Sequence, residues 1–338
     1  MTDVVSGAAK KLFLHVGMEK TGSTAIQGCL QLNLAELPKI GFFIAGRECR
    51  ASSVALQHRL AKACLGNPRI AGHIVPASAE EWGGWLAEFQ ASDCPAAILS
   101  SELFSYATAA DIAGLAERLK AFEVVVVVYL RRQDSYVEAQ YGQHLKGIYQ
   151  LGGTPFDRNK FLPGNIDYEA FCGAWASVFG AKRLRVRIYD EDNAAHAIYR
   201  DFGEAVGLDV GRLTLPQKTV NPGLLEFQAR VLLALRDAVA DKDARAAIAQ
   251  LVFIYNNKVG EDRPHSGRPK WLIPRERRAE LLRMSAASNA NVARIYLGRA
   301  DGVLFAPKPE GDSEPAPIDY TEVARLLEYA LATSAKKS

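Results

Sequence analysis

The sequence predicts an α/β fold: a parallel central sheet flanked by helices, with a helical C-terminal elaboration. Three observations carry this. Short apolar runs alternate with amphipathic segments through the first two-thirds of the chain. One run, Val124–Leu130, holds seven residues without a charge between Glu123 and Arg131, the pattern of a strand buried on both faces. Beyond about residue 215 the strand-like runs stop and helical periodicity remains. Strand–helix alternation of this kind builds βα units around a parallel sheet.

The elements follow in order. Lys11–Val16 is a short apolar strand, and Ser23–Leu37 a helix with Ile26, Leu30, Leu34 and Leu37 on one face. Residues 42–76 are mixed, with a helix around Val54–Leu65. Ser78 has the character of an N-cap, with Glu80 and Glu81 in the first turn of a helix running to about Gln90. Ala96–Ser100 is a second strand, Asp111–Ala121 a helix and Val124–Leu130 the third strand. Asp134–Lys146 is a helix with Val137, Tyr141 and Leu145 facing inward. Gly147–Asn165, rich in Gly, Pro and Asn, is a long loop, a type of segment that is usually functional or mobile. Asp167 caps the helix Tyr168–Phe179, which stops at Gly180, and Leu184–Tyr189 is a fourth strand. The C-terminal helices are Leu224–Val239, Asp243–Tyr255, Arg275–Leu297 and Tyr320–Thr333, with a basic Pro/Gly-containing segment at Gly260–Lys270. The expected organisation is a single domain over 1–338, with an α/β core at 11–210 and the helical elaboration at 215–338.

Composition narrows the function. Of 338 residues, 49% are apolar and 23% charged, which is globular composition, not that of a disordered chain. The net charge of +3 is too small for a general nucleic-acid binder. No apolar run approaches the ~20 residues of a membrane span, and Met1–Lys11 lacks the apolar core of a secretory signal. The five cysteines are scattered with no CxxC pair, so neither a disulfide framework nor a zinc site is signalled. A reducing cytoplasm is the simplest expected location.

The chemistry is concentrated after the first strand, where Leu12–Val16 runs into Gly17-Met-Glu-Lys20-Thr21-Gly22-Ser23-Thr24 and a helix. Strand, glycine-bearing loop and helix start form a phosphate cradle, because backbone N–H groups and the positive end of the helix dipole converge there. The glycines are spaced as in the nucleotide-triphosphate loop, so the fold is expected to be P-loop NTPase-like. The residue after the second glycine is Ser23, however, and the lysine stands inside the loop at position 20. From there it would lie over whatever is attached to a 5′-phosphate. The third strand ends Tyr129-Leu130-Arg131-Arg132, where a magnesium–triphosphate enzyme wants an aspartate. An arginine pair there suggests a second anion, bound without metal.

The segment Gly17-Met-Glu-Lys-Thr-Gly-Ser-Thr-Ala-Ile-Gln27 resembles the 5′-phosphosulfate loop of sulfotransferases that use 3′-phosphoadenosine 5′-phosphosulfate (PAPS). VVVVYLRRQDSYVEAQY, Val125–Tyr141, resembles their 3′-phosphate segment, in the right order and about 110 residues further on. Asn291–Phe305 resembles the C-terminal helix and tail of bacterial carbohydrate-type members. The resemblance implies PAPS as donor, PAP as product, no metal, and a hydroxyl-bearing acceptor: a small molecule, saccharide or glycolipid. It implies that Lys20 contacts the leaving phosphate and the sulfuryl group. Gly17, Thr21, Gly22, Ser23 and Thr24 would hold the 5′-phosphate, Arg131 the 3′-phosphate, and Tyr189 would lie near adenine. One departure is Ala139, eight residues after Arg131, where the family has a serine; Ser135 stands one turn earlier.

Sulfuryl transfer needs a cation for the leaving phosphate and a base for the acceptor hydroxyl. Glu102, directly after the strand Ala96–Ser100, is the first candidate base, since catalytic groups gather at the carboxyl ends of parallel strands. His15, Glu19 and His144 are rivals. Two other functions remain open: a P-loop nucleoside or sugar kinase, which the displaced lysine disfavours, and a non-catalytic nucleotide-binding protein, which Ala139 keeps in view.

Overall fold

The computed structural model describes residues 9–44, 53–151, 160, 162, 165–189, 194–216, 226–239, 241, 243–244, 247–252, 255, 272–307 and 320–334. The chain forms two compact units. The first holds Met1–Arg131, Asn165–Val220 and Ser285–Phe305; the second holds Arg132–Gly164, Asn221–Met284 and Ala306–Ser338.

The first unit is built on a five-stranded, all-parallel sheet, consistent with the fold class read from the sequence. Its strands are β1 (Lys11–Gly17), β2 (Phe42–Phe43), β3 (Ala96–Ser101), β4 (Glu123–Leu130) and β5 (Leu184–Ile188), in the order β2-β3-β1-β4-β5. The two apolar runs of the sequence are the central strands. Leu12, Leu14 and Val16 of β1 and Val126–Leu130 of β4 are wholly buried, each such side chain contributing about 1.5–3 kcal/mol. On one face α1 (Ser23–Leu32) and α7 (Ala194–Val206) cover the sheet, with Ile26, Leu30, Ile198 and Phe202 packed with Phe13, Val125 and Val127. Elsewhere α2 (Ser53–Lys62) lies on β3, α6 (Tyr168–Phe179) packs on β4 and β5, and α4 (Ala109–Leu119) packs on α6.

Helix starts follow the local chemistry. The side chain of Ser78 accepts the N–H of Glu81, whose carboxylate in turn accepts the N–H of Ser78, closing a capping box at α3 (Ala79–Ala91). Thr108 and Asp111 repeat the device at α4. Asp167 caps α6 through the N–H of Ala170 at 3.1 Å, and its carboxylate also accepts the hydroxyl of Ser288 at 2.8 Å.

Several boundaries differ from expectation. α1 ends at Leu32, not Leu37, because the side-chain amide of Asn33 donates to Cys29 O and Thr214 O, each at 2.8 Å, and accepts the N–H of Thr214. Those bonds draw the chain out of the helix, and Pro38 then shapes a 3₁₀ turn at Leu37–Ile40. β2 is two residues long, too short for a periodic signal. α7 stands where no helix was expected, although Ile198, Tyr199, Phe202, Ala205 and Val206 form its buried face. A glycine at position 203 weakens the helical signal, yet a side chain there would collide with the turn that follows. An added Cβ would stand 2.7 Å from Leu208 O and 2.4 Å from a Val210 methyl.

In the second unit, α5 (Gln133–Leu151) packs against α8 (Glu226–Ala238) and buries Val137, Tyr141 and Leu145 as expected. It runs on to Leu151, past the expected start of the loop at Gly147. The carboxylate of Glu138 accepts the N–H groups of Leu272 and Ile273. Arg132 makes a two-pronged pair with Asp134, Nε to Oδ1 at 2.8 Å and Nη2 to Oδ2 at 2.6 Å. The helices Arg275–Leu297 and Tyr320–Ser334 are present. The basic segment at 260–270 lies outside the described residues.

The topology positions the site. The chain leaves β1 toward β2 and leaves β4 toward β5, so the crevice between β1 and β4 is a switch point, where open α/β sheets bind ligands. Gly17 pairs with Tyr129 across that crevice, and Val16 pairs with Ser101 on the other side of β1.

Gly203→Ala should cost stability despite the better helix former. Overpacking against a backbone carbonyl costs about 1–3 kcal/mol, against a propensity gain of about 1 kcal/mol. Gly114→Ala in α4, where an added Cβ meets nothing within 4 Å, should instead stabilise by about 0.5–1 kcal/mol. Urea denaturation of both variants checks the opposite signs.

Candidate active site

The loop between β1 and α1 is tied down from inside. Thr21 is wholly buried, and its hydroxyl donates to Met18 O at 2.6 Å. Gly22 is the N-cap of α1 with φ 86°, a left-handed conformation that favours glycine. An added Cβ there would meet the Tyr189 ring at 3.0 Å and Ile198 at 3.1 Å. No side chain caps α1, and its first turn holds no acid, so its leading N–H groups present the positive end of the helix. Ser23 is buried and Thr24 exposed.

Lys20 also takes a left-handed backbone, φ 62°. Its carbonyl accepts a hydrogen bond from Arg131 Nη1 at 2.9 Å. The Arg131 guanidinium lies over the Tyr189 ring, 5.5 Å from its centre. Tyr189 is fixed in turn by its N–H to Leu130 O at 2.8 Å. Lys20, Gly22, Arg131 and Tyr189, singled out separately in the sequence, therefore stand together at the edge of β1 and β4. Burial lowers the pKa of the Lys20 ammonium below the ordinary lysine value, and Arg131 adds to this, while the charges of Glu19 and Glu102 work in the opposite direction.

Glu102 opens the 3₁₀ turn Glu102–Tyr106 that follows β3. Gln27 Nε2 of α1 donates to its Oε2 at 3.0 Å. His58 Nδ1 of α2 lies 3.9 Å from the same oxygen and 2.8 Å from Ser101 Oγ. Glu19 is held differently, its Oε1 accepting the Tyr106 hydroxyl at 2.7 Å. That bond ties the loop between β1 and α1 to the turn that carries Glu102.

His15 has the placement of a core histidine. It is wholly buried, Nδ1 shares a 2.8 Å hydrogen bond with Ser100 Oγ, and Nε2 has no hydrogen-bond partner among the described residues. The ring meets Tyr129 and Phe202 edge-on. Burial pushes its pKa from 6.5 down to about 3, so the imidazole is neutral. His144 is exposed on α5, which belongs to the second unit, as do Ser135 and Ala139.

Gln27, His58, Ser101 and Tyr106 were not anticipated. Gln27 and His58 are single polar residues on otherwise ordinary amphipathic helices, and only the packing of α1 and α2 beside β3 gives them a common target.

No family model matches the chain. Over 206 residues it is 26% identical to an uncharacterized protein of Archaeoglobus fulgidus, covering 60% of this chain and 54% of that one. The chain thus spans about half the length of the relative it matches. Among solved structures, the sulfotransferase from Alicyclobacillus acidocaldarius aligns with a TM-score of 0.38 and 15% identity, over 69% of this chain and 93% of that chain.

The buried His15 makes stability depend on pH. Its folded-state pKa lies below its unfolded value, so the contribution is full above about pH 6.5 and is lost as pH falls toward 3. In that window the unfolding free energy should drop with a slope up to about 1.4 kcal/mol per pH unit from this group. His15→Asn, which can keep a bond to Ser100, should remove about one proton from the measured pH dependence of urea unfolding.

Proposed function

We propose that the chain is a sulfotransferase that moves the sulfuryl group of PAPS to a hydroxyl acceptor, a saccharide or glycolipid, by in-line transfer. The observation that carries this reading is the meeting of Lys20, Arg131 and the uncapped start of α1 at one strand edge, with Glu102 in electrostatic reach of Lys20. Helix-start N–H groups suit a 5′-phosphate, and a guanidinium suits a 3′-phosphate. The Tyr189 ring beside Gly22 offers a flat apolar surface to adenine.

The chemistry asks little else of the protein. A bond forms between the acceptor oxygen and sulfur while the bond from sulfur to the 5′-phosphate oxygen breaks. The acceptor proton passes to Glu102 as general base, and PAP leaves. Lys20 meets the negative charge that grows on the departing phosphate, in a setting where burial makes that contact stronger than it is in water. A kinase would need the lysine after Gly22 to reach a β/γ-phosphate pair, and Ser23 stands there.

Scanning fluorimetry with PAP, with ATP–Mg and with buffer alone tests the reading. PAP should raise the melting temperature; a response to ATP–Mg alone would favour the kinase. Turnover is then read with radiolabelled PAPS against saccharides and simple alcohols.

Lys20→Ala should lower transfer by about 10²–10³ while leaving PAP affinity within a few-fold, because its contact counts most in the transition state. Equal losses in both would make it a ground-state anchor. Glu102→Gln should keep PAP affinity and slow transfer by about 10²–10⁴, with the acidic limb of the pH–rate profile gone. Near-normal turnover would move the base to Glu19.

A further inference from the structure

Resting on the sulfotransferase reading, we propose that His58 is a positioning residue for Glu102: through Ser101 it holds the turn that carries the carboxylate, while Gln27 fixes oxygen Oε2, so that Oε1 is the oxygen that takes the acceptor's proton.

Two helices converge on one oxygen. Gln27 Nε2 from α1 lies 3.0 Å from Oε2, and His58 Nδ1 from α2 lies 3.9 Å from it. Oε1 has no hydrogen-bond partner among the described residues. Glu102 is therefore held on one side and open on the other, as a base requires if its lone pair is to face a substrate hydroxyl.

Ser101 ties His58 to the turn that carries Glu102. Its hydroxyl oxygen accepts the N–H of Leu103 at 3.2 Å and shares a 2.8 Å hydrogen bond with His58 Nδ1.

The other charges around α2 are engaged elsewhere. On α2 itself, Arg59 pairs with Glu81 of α3, and the Lys62 ammonium is bound by the carbonyls of Asn67, Pro68 and Ile70. α3 also carries Glu80 and Glu88. β3 brings only serine hydroxyls, α1 brings Gln27 and the neutral thiol of Cys29, and the 3₁₀ turn brings Glu102 and the Tyr106 hydroxyl. The loop after β1 adds Glu19, bound to Tyr106, and the ammonium of Lys20.

Release of PAP from PAPS by the full chain, measured in wild type, His58→Ala and His58→Asn, tests the proposal. His58→Ala should lower kcat about tenfold with KM for PAPS within twofold. His58→Asn, which restores an N–H donor to Ser101, should recover most of kcat. A fall in melting temperature with kcat unchanged, or an equal loss of kcat in both variants, overturns the proposal. Failure of PAP to bind wild type would instead overturn the sulfotransferase reading and the base role together. PAP binding with kcat unchanged in His58→Ala sinks the positioning role alone.

Discussion

The parallel register that β1 shares with β3 and β4 fixes what can meet at the carboxyl edge of the sheet. Gly17 stands opposite Tyr129 and Val16 opposite Ser101. The loop after β1, the turn after β3 and the arginine after β4 therefore begin at the same level. A one-residue slip of a strand turns its side chains to the other face. Slipping β3 would carry Ser100 away from His15 and Ser101 away from His58, and with them the start of the turn that holds Glu102. The apolar, β-branched content of β1 and β4 thus does more than fill the core, since it holds the alignment that the polar edge requires.

The electrostatics of that edge are set by burial and by pairing. Lys20 is a cation in a place that disfavours charge, and two carboxylates of the same unit offset part of that penalty. Each carboxylate is also committed to a neutral donor, Glu19 to the Tyr106 hydroxyl and Glu102 to the Gln27 amide. His15, on the strand that leads into this loop, shows the contrary outcome: burial keeps it neutral.

Much of this was legible in the sequence, for identifiable reasons. The strands β1, β3 and β4, the caps at Ser78 and Asp167, and the grouping of the loop lysine with Arg131 rest on local patterns: apolar runs, capping residues, glycine spacing. What could not be read depends on contacts distant in sequence. Asn33 ends α1 through Thr214, some 181 positions away. Gly203 weakens the signal of α7 because of a steric demand from Leu208 and Val210. His58 and Gln27 become notable only once Glu102 is seen between them, 44 and 75 residues further along the chain.

The left-handed backbone of Lys20 carries one more consequence. A non-glycine residue in that region sits about 1 kcal/mol or more above its relaxed conformations, and the bond from Arg131 to its carbonyl helps to keep it there. The loop is thus set in its curved shape when the chain folds. Under the proposed function, an anion arriving at the start of α1 would meet N–H groups whose directions are already fixed. Association would then lose little chain entropy, and the cost of shaping the cradle would appear as a lower folding stability, not as a weaker grip on the ligand.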